Sequence, residues 1–327
     1  MHMSDALISP AVGGTMLAVS AGLIFFSSTH LRKNFDASKI PLMGVMGAFV
    51  FAMQMINFAI PATGSSGHIG GAILLAALLG PCAAFLALTC VLAIQALFFA
   101  DGGLIALGCN VFNMGFFACF IAYPLIFKPI AKDYSSSTRI AVASILSATI
   151  ALQLGAFCVV LQTLLSGVTE LPFKTFAFLM QPIHLAIGIV EGLLTAATIS
   201  FIYKVRPQIF NVENPLKSLS MTATLASLFL ATLIIGGGVS LLASSNPDGL
   251  EWAIENTTDG KELLASGEIH EASATLQEKT SLLADYSIAN IESNVGTSLA
   301  GIIGSVITLF SIVLLAVILK KRKSIDA

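Results

Sequence analysis

Residues 69–100 read IGGAILLAALLGPCAAFLALTCVLAIQALFFA, a stretch without one charged side chain. A membrane-spanning helix takes about 20 mostly apolar residues, so this run is too long for a single ordinary helix. Gly80-Pro81 interrupts it, which leaves either one broken helix or two short ones. The choice sets the parity of the whole chain. Seven further apolar runs lie near 8–29, 41–60, 104–127, 140–165, 176–203, 220–243 and 297–319. Basic residues gather in four places between and after them: Arg32, Lys33 and Lys39; Lys128, Lys132 and Arg139; Lys204, Arg206 and Lys217; and Lys320 to Lys323. The positive-inside rule puts all four groups on the cytoplasmic side only if 69–100 crosses twice, folding back near Gly80-Pro81. The expected fold is an all-α polytopic membrane protein with about nine transmembrane helices, the N-terminus outside and the C-terminus cytoplasmic.

Composition agrees. Of 327 residues, 56% are hydrophobic and only 10% charged, against about 25% charged in soluble domains. The net charge of −2 and the short basic clusters leave no footprint for nucleic acid. Cys82, Cys90, Cys109, Cys119 and Cys158 sit in apolar runs without CxxC spacing, so they read as small core residues rather than a disulfide or zinc framework. The N-terminus has no basic stretch and no small-residue cleavage site before the next loop, and reads as mature sequence. No Walker A motif occurs, and His270-Glu271 lacks a second histidine in range, so neither ATP hydrolysis nor zinc proteolysis is encoded.

Two modules are expected. Residues 204–219 are polar and carry Pro207 and Pro215, which marks a linker. Residues 1–207 form a seven-span module, 208–219 a cytoplasmic linker, and 220–327 a two-span module. An extracytoplasmic loop over 244–296 follows by parity. Between Asn246 and Asn294 it carries ten acidic residues against Lys261 and Lys279, and two or three helices are expected there, one opened by Asp259 with Glu262 as a capping pair. There is no convincing internal repeat.

An ionisable group within a membrane points to function, because an unpaired charge there is expensive. The residues concerned are His68, Asp101, His184 and Glu191. His2 joins them through its position. The α-amine, the amide nitrogen between Met1 and His2, and an imidazole nitrogen of His2 close two fused chelate rings in one plane, leaving a fourth in-plane position for another nitrogen. Planar nitrogen geometry selects Ni(II) or Cu(II) over zinc. The alternative is an unstructured tip. His68 lies in Thr63-Gly64-Ser65-Ser66-Gly67-His68-Ile69-Gly70-Gly71, on the same outer side as Met1, where glycine permits close backbone approach. It is either a shared metal ligand or a turn histidine bonded to a carbonyl. His184 and Glu191, about two helical turns apart, share a face and read as outer partners of a site or as a polar seam between helices. Asp101, Asn110 and Asn113 either line the site or cap and pack.

These residues carry a resemblance. Met1-His2 with Asp5 and Ser9-Pro10, Gly64 to His68 with Gly70-Gly71-Ala72, Leu79-Gly80-Pro81, Gln95-Ala96-Leu97 with Asp101-Gly102-Gly103-Leu104, Ala106-Leu107-Gly108, Asn110 to Met114, and His184 with Glu191-Gly192-Leu193 resemble the substrate-binding (S) components of energy-coupling factor nickel/cobalt transporters. Pro247-Asp248-Gly249-Leu250-Glu251 resembles the signature of their small two-span partner, so nearly the whole chain resembles a fusion of the NikMN or CbiMN kind. The resemblance implies a metal site made by Met1, His2 and His68, with Ni²⁺ as the transported ligand. It also implies a transmembrane coupling (T) protein and two cytoplasmic ATPases as partners in a prokaryotic cell (inner) membrane. Ala6-Leu7-Ile8 and Met3 depart from the family's usual segment. Glycine and isoleucine around His68, with Asn110-Val111-Phe112-Asn113, look more like nickel than cobalt members. The alternatives are Co²⁺ uptake for cobalamin synthesis, or a standalone metal carrier, against which stands the lack of an inverted repeat.

Overall fold

The computed structural model describes residues 2–33, 36–210, 219–261, 263, 266–288 and 293–325. In chain order its helices are α1 (Pro10–Lys33), α2 (Ile40–Gln54), α3 (Ala72–Leu79), α4 (Pro81–Phe98), α5 (Leu107–Ala131), α6 (Ser137–Ser166), α7 (Phe173–Val205), α8 (Met221–Gly237), α9 (Gly249–Thr258), α10 (Glu268–Thr280) and α11 (Ser293–Ile325). Eight of them, all but α3, α9 and α10, are long and apolar enough to cross a bilayer. The protein is therefore all-α and polytopic, as its composition demands.

Helix α3, from the first half of the long apolar run, has 8 residues, about 12 Å of rise against a hydrocarbon core of about 30 Å. The chain before it is extended. Strands β1 (Phe58–Ile60) and β2 (Ser65–Gly67) pair antiparallel, with Phe58 opposite Gly67, and the chain runs on through His68 into α3. This extended chain is covered by protein, and Ser65 and Ser66 are both 0% exposed. The chain then reverses at Gly80, whose φ of 83° suits glycine, and Pro81 opens α4 where its missing N–H costs nothing.

Close helix contacts replace a hydrophobic drive that lipid cannot supply. Gly188 and Gly192 of α7 lie against the backbone of Thr149 and Ile145 on α6, where any Cβ would collide. Gly236 of α8 and Gly301 of α11 do the same for the second module, which packs on α2 through Gly44 and Gly47. Large apolar residues such as Phe25, Phe178, Leu230 and Phe310 face outward, as a lipid-exposed surface requires.

The loop between α8 and α11 holds α9, α10 and a short 3₁₀ turn (Ala284–Tyr286). Its capping differs from the sequence reading. Asp248 and Glu251 form the capping box that opens α9, whereas Asp259 ends that helix in a left-handed conformation. Glu262 and the linker positions 211–218, like Met1, lie outside the described residues. The linker's start, Pro207–Phe210, is a short 3₁₀ turn whose Phe210 packs on Tyr134 and Tyr203.

Candidate functional site

The first residues are docked rather than dangling. Met3 is fully buried, and Asn110 holds its backbone from both sides: the Met3 N–H donates to Asn110 Oδ1 at 2.8 Å, and Asn110 Nδ2 donates to the Met3 carbonyl at 3.1 Å. The Gly103 N–H adds a third bond to that carbonyl at 2.9 Å. Asn113, paired with Gln162 at 2.7 Å, supports Met3 through its sulfur. Both asparagines come from α5 near the point where it widens into π-helix (Phe112–Phe127), a form that recurs at functional sites. The turn 101–103 must lie flat against this segment. Gly102 has φ 86°, with His2 Cβ 3.4 Å from where its own Cβ would be, and a Cβ on Gly103 would meet the Asp5 carboxylate.

This docking delivers His2. Its Nδ1 lies 3.0 Å from Asp101 Oδ1, and its Nε2 is buried without a hydrogen-bond partner. Asp101 is oriented in turn by the Tyr286 hydroxyl, which donates to Oδ2 at 2.5 Å and accepts from Gln95 Nε2 at 3.2 Å. Burial alone would raise the Asp101 pKa, but the charge and hydrogen bond of His2 and the Tyr286 hydroxyl hold it below the usual carboxylate range. Burial and the Asp101 charge push Tyr286 upward. Asp101 is thus the anionic acceptor and Tyr286 its neutral donor.

His68 arrives on the extended chain that leads into α3. Its imidazole stacks on that of His2, with centroids 5.0 Å apart and planes 7° from parallel. Its Nδ1 lies 3.1 Å from the Ile69 carbonyl, which fixes that nitrogen as the donor. Glu191, buried on α7, accepts from the Gly70 and Gly71 N–H groups at 2.7 and 3.0 Å, and Gln54 Nε2 donates to the Gly70 carbonyl at 2.8 Å. Glu191 therefore grips the segment that carries His68. His184, one face-repeat away on α7, donates from Nδ1 to the Met180 carbonyl at 2.8 Å and touches neither stacked ring's partner carboxylate by hydrogen bond.

The second module closes the site, through residues that the sequence reading did not place there. Ser66 pairs with Asp248 in a parallel bridge, its N–H donating to the Pro247 carbonyl at 2.8 Å and its hydroxyl to the Asn246 carbonyl at 2.8 Å. This sets Asp248 Oδ2 4.0 Å from His68 Nε2. On the other flank Ser273 donates to Asp5 at 2.7 Å, His270 to the Ile8 carbonyl at 2.9 Å, and Gln277 to the Gly102 carbonyl at 2.8 Å. Nothing in local spacing links residues 248–286 to residues 2–103. The signal present was the Pro-Asp-Gly-Leu-Glu signature, read only as a mark of the partner. The result is a cleft of ≈ 410 Å³ bounded by His2, His68, Asp101, Asp248, Glu251 and Tyr286. Among the described residues no three His, Cys, Asp or Glu side chains converge as a metal-ligand cluster.

A helical membrane protein that brings two imidazoles from separate segments into one buried cleft has the equipment of a transition-metal carrier. The sequence profile of the CbiM family, the cobalt uptake substrate-specific transmembrane region, matches residues 2–209, and that of the PDGLE domain matches residues 222–321. The chain belongs to the CbiM family and carries a PDGLE domain behind it. An Archaeoglobus fulgidus protein described as a fused nickel transport protein, NikMN, is 30% identical over 94% of this chain and 96% of its own. A Lactiplantibacillus plantarum protein described as a fused nickel transport protein, LarMN, is 28% identical over 95% of this chain and 96% of its own. A crystal structure of a truncated transition metal transporter shares the fold with a TM-score of 0.54 at 33% identity, covering 62% of this chain and 99% of that one. The protein is a multi-pass membrane component of nickel/cobalt transport of the CbiM and NikMN type.

Proposed function

We propose that the chain is the substrate-capturing subunit of an energy-coupling factor importer. It takes Ni²⁺ from the outer side into a planar nitrogen site at its N-terminus, and a transmembrane coupling protein driven by two cytoplasmic ATPases turns it inward for release. It sits in a prokaryotic cell (inner) membrane with the N-terminus and the loop over 244–296 outside and the C-terminus cytoplasmic. The chain performs no catalysis. Its ligands are the amine of Met1, the amide and imidazole of His2, and the imidazole of His68. Residues 1–207 capture, 208–219 link, and 220–327 hold the site's frame; the separate family matches favour this division.

One observation carries the reading: two imidazoles from distant segments lie side by side, and a buried nitrogen of His2 has no partner. Burying a polar atom unpaired costs about 1–3 kcal/mol, a cost removed if the ring turns so that Nε2 meets Asp101 while Nδ1 takes the metal. The chelate ring through the His2 amide closes on Nδ1, the nitrogen now facing Asp101. A half-turn of the ring about Cβ–Cγ frees Nδ1 for the metal and turns the Nε2 edge toward Asp101, the carboxylate–histidine–metal arrangement. His68 must likewise leave the stack to enter the plane.

Calorimetry and visible absorption with Ni²⁺ and Co²⁺ test this, comparing the native N-terminus with a chain bearing one extra residue before Met1. Tight binding with a square-planar spectrum, lost on extension, is the expected outcome. Equal binding by both forms would sink the N-terminal site. Cobalt is the second reading, favoured by the description of the family itself, and the same titrations decide between the metals.

A further inference from the structure

Beneath His68 lies a feature that capture does not use. His184 is 0% exposed, and its Nδ1 donates to the Met180 carbonyl, which leaves Nε2 as an unprotonated acceptor. That Nε2 is buried and has no hydrogen-bond partner. It borders a cavity of ≈ 10 Å³, about one water in size, whose wall also includes His68, Asp248 and Met114. The roof belongs to the second module: a Cβ on Gly249 would stand 2.5 Å from Ile183 Cγ2 and 3.3 Å from His184 Cε1, so glycine there lets Asp248 and its helix come down close to α7. A second cavity of ≈ 20 Å³ follows, bordered by Gly70, Asn113, Met114 and Glu191. Imidazole, carboxylate and carbonyl groups thus continue from the capture cleft along the inward face of α7.

If His184 served only to bond a carbonyl within its own helix, serine or threonine would do so without stranding a ring nitrogen in apolar surroundings. A neutral imidazole with its other nitrogen held by a backbone carbonyl is instead a prepared metal ligand. From this, resting on the capture site above, we propose that His68 and His184 form an inner waypoint: the divalent ion leaves the His2 plane while held by His68 and passes to His184 Nε2 on its way inward. The waypoint is weaker than the capture site by construction, with two imidazoles and a distant carboxylate in place of a closed chelate. A site on a route must release its ion, so weakness is a requirement.

The test uses the full chain in detergent with Co²⁺ and Ni²⁺ as probes. In a His2→Ala background, which removes capture, residual Co²⁺ binding is expected, and adding His184→Gln should weaken it at least tenfold. A second variant, His184→Cys in the same background, should give a thiolate-to-cobalt charge-transfer band, which arises only if position 184 touches the ion. Residual binding that ignores His184→Gln, no residual binding at all, or a folded Cys variant without the band would each overturn the waypoint. Failure of the capture reading looks different: tight planar Ni²⁺ binding would then survive His2→Ala alone.

Discussion

The two segments that bring histidine to the cleft are both irregular chain, yet they are held by different helices. Residues 2–8 are fixed by side chains of the α5 start and of the second module: Asn110 on Met3, Ser273 on Asp5, His270 on Ile8. Residues 65–71 are held at one end by the second module's loop, on Ser66, and at the other from within the bundle, by Glu191 on the Gly70 and Gly71 amides and by Gln54 on the Gly70 carbonyl. The loop between α8 and α11 thus touches both segments. The two histidines are nonetheless anchored to different helices, His2 to the start of α5 and His68 to α2 and α7.

Substitutions can break this contrast. The largest effect is expected from the N-terminal extension or from His68→Ala, each of which removes a ligand and should lower Ni²⁺ affinity beyond the about 100-fold typical of outer-shell losses, read by calorimetry. Glu191→Ala strands two buried backbone N–H groups at about 1–3 kcal/mol each, so it should lower the detergent thermal midpoint more than Asn110→Ala, which strands one N–H and a carbonyl that Gly103 still serves. Equal losses would erase the distinction between the two anchors. Tyr286→Phe keeps the ring packing but removes the donor to Asp101, and about a tenfold drop in affinity with unchanged melting is expected. An unchanged affinity would mean that Asp101 does not need the second module to orient His2.

The smallest effect concerns acid. The Asp101 pKa is held below its unfolded value, so its contribution to docking is present above about pH 4 and disappears only as pH falls through the depressed value. Metal is expected to leave earlier, because protons compete for the ligand nitrogens. Hydrogen exchange at the Met3 and Gly103 amides should stay slow after the nickel spectrum has gone; simultaneous loss would tie docking to the metal.

How much of this was legible follows from the range of each interaction. Helix positions were readable because a bilayer demands long apolar runs, and every long helix falls on one of the runs read from sequence. The form of residues 58–79 was not, because Ile69 to Leu79 is as apolar as any helix and nothing in hydropathy separates a short helix plus extended chain from a full one. His2, His68 and Asp101 could be picked out by position and by the cost of burying charge. Glu191 could be named but not assigned, since its partners are backbone amides that carry no side-chain signature. Asp248, His270 and Tyr286 were out of reach. His270 and Tyr286 meet partners 262 and 185 residues away, Asp248 is set by its bridge to Ser66, and acidic residues in a solvated loop look alike until one of them is docked. The Asp259 pair shows the same limit at short range: both it and Asp248 fit a capping pattern, and only the Gly249 approach to α7 selects one.

The bond between Arg206 Nη1 and the Leu219 carbonyl, at 2.6 Å, with the Leu219 N–H returning to Val205 at 3.0 Å, pins together the two ends of the connection between modules. A tether so short makes the meeting of the outer loop with the cleft an intramolecular event, at an effective concentration on the order of millimolar. Each contact from Ser273, His270, Gln277 and Tyr286 can then be individually feeble and still be made nearly all the time. A version of this transporter with the two modules on separate chains would need a stronger interface to reach the same occupancy, and the fusion relaxes that demand on the loop sequence.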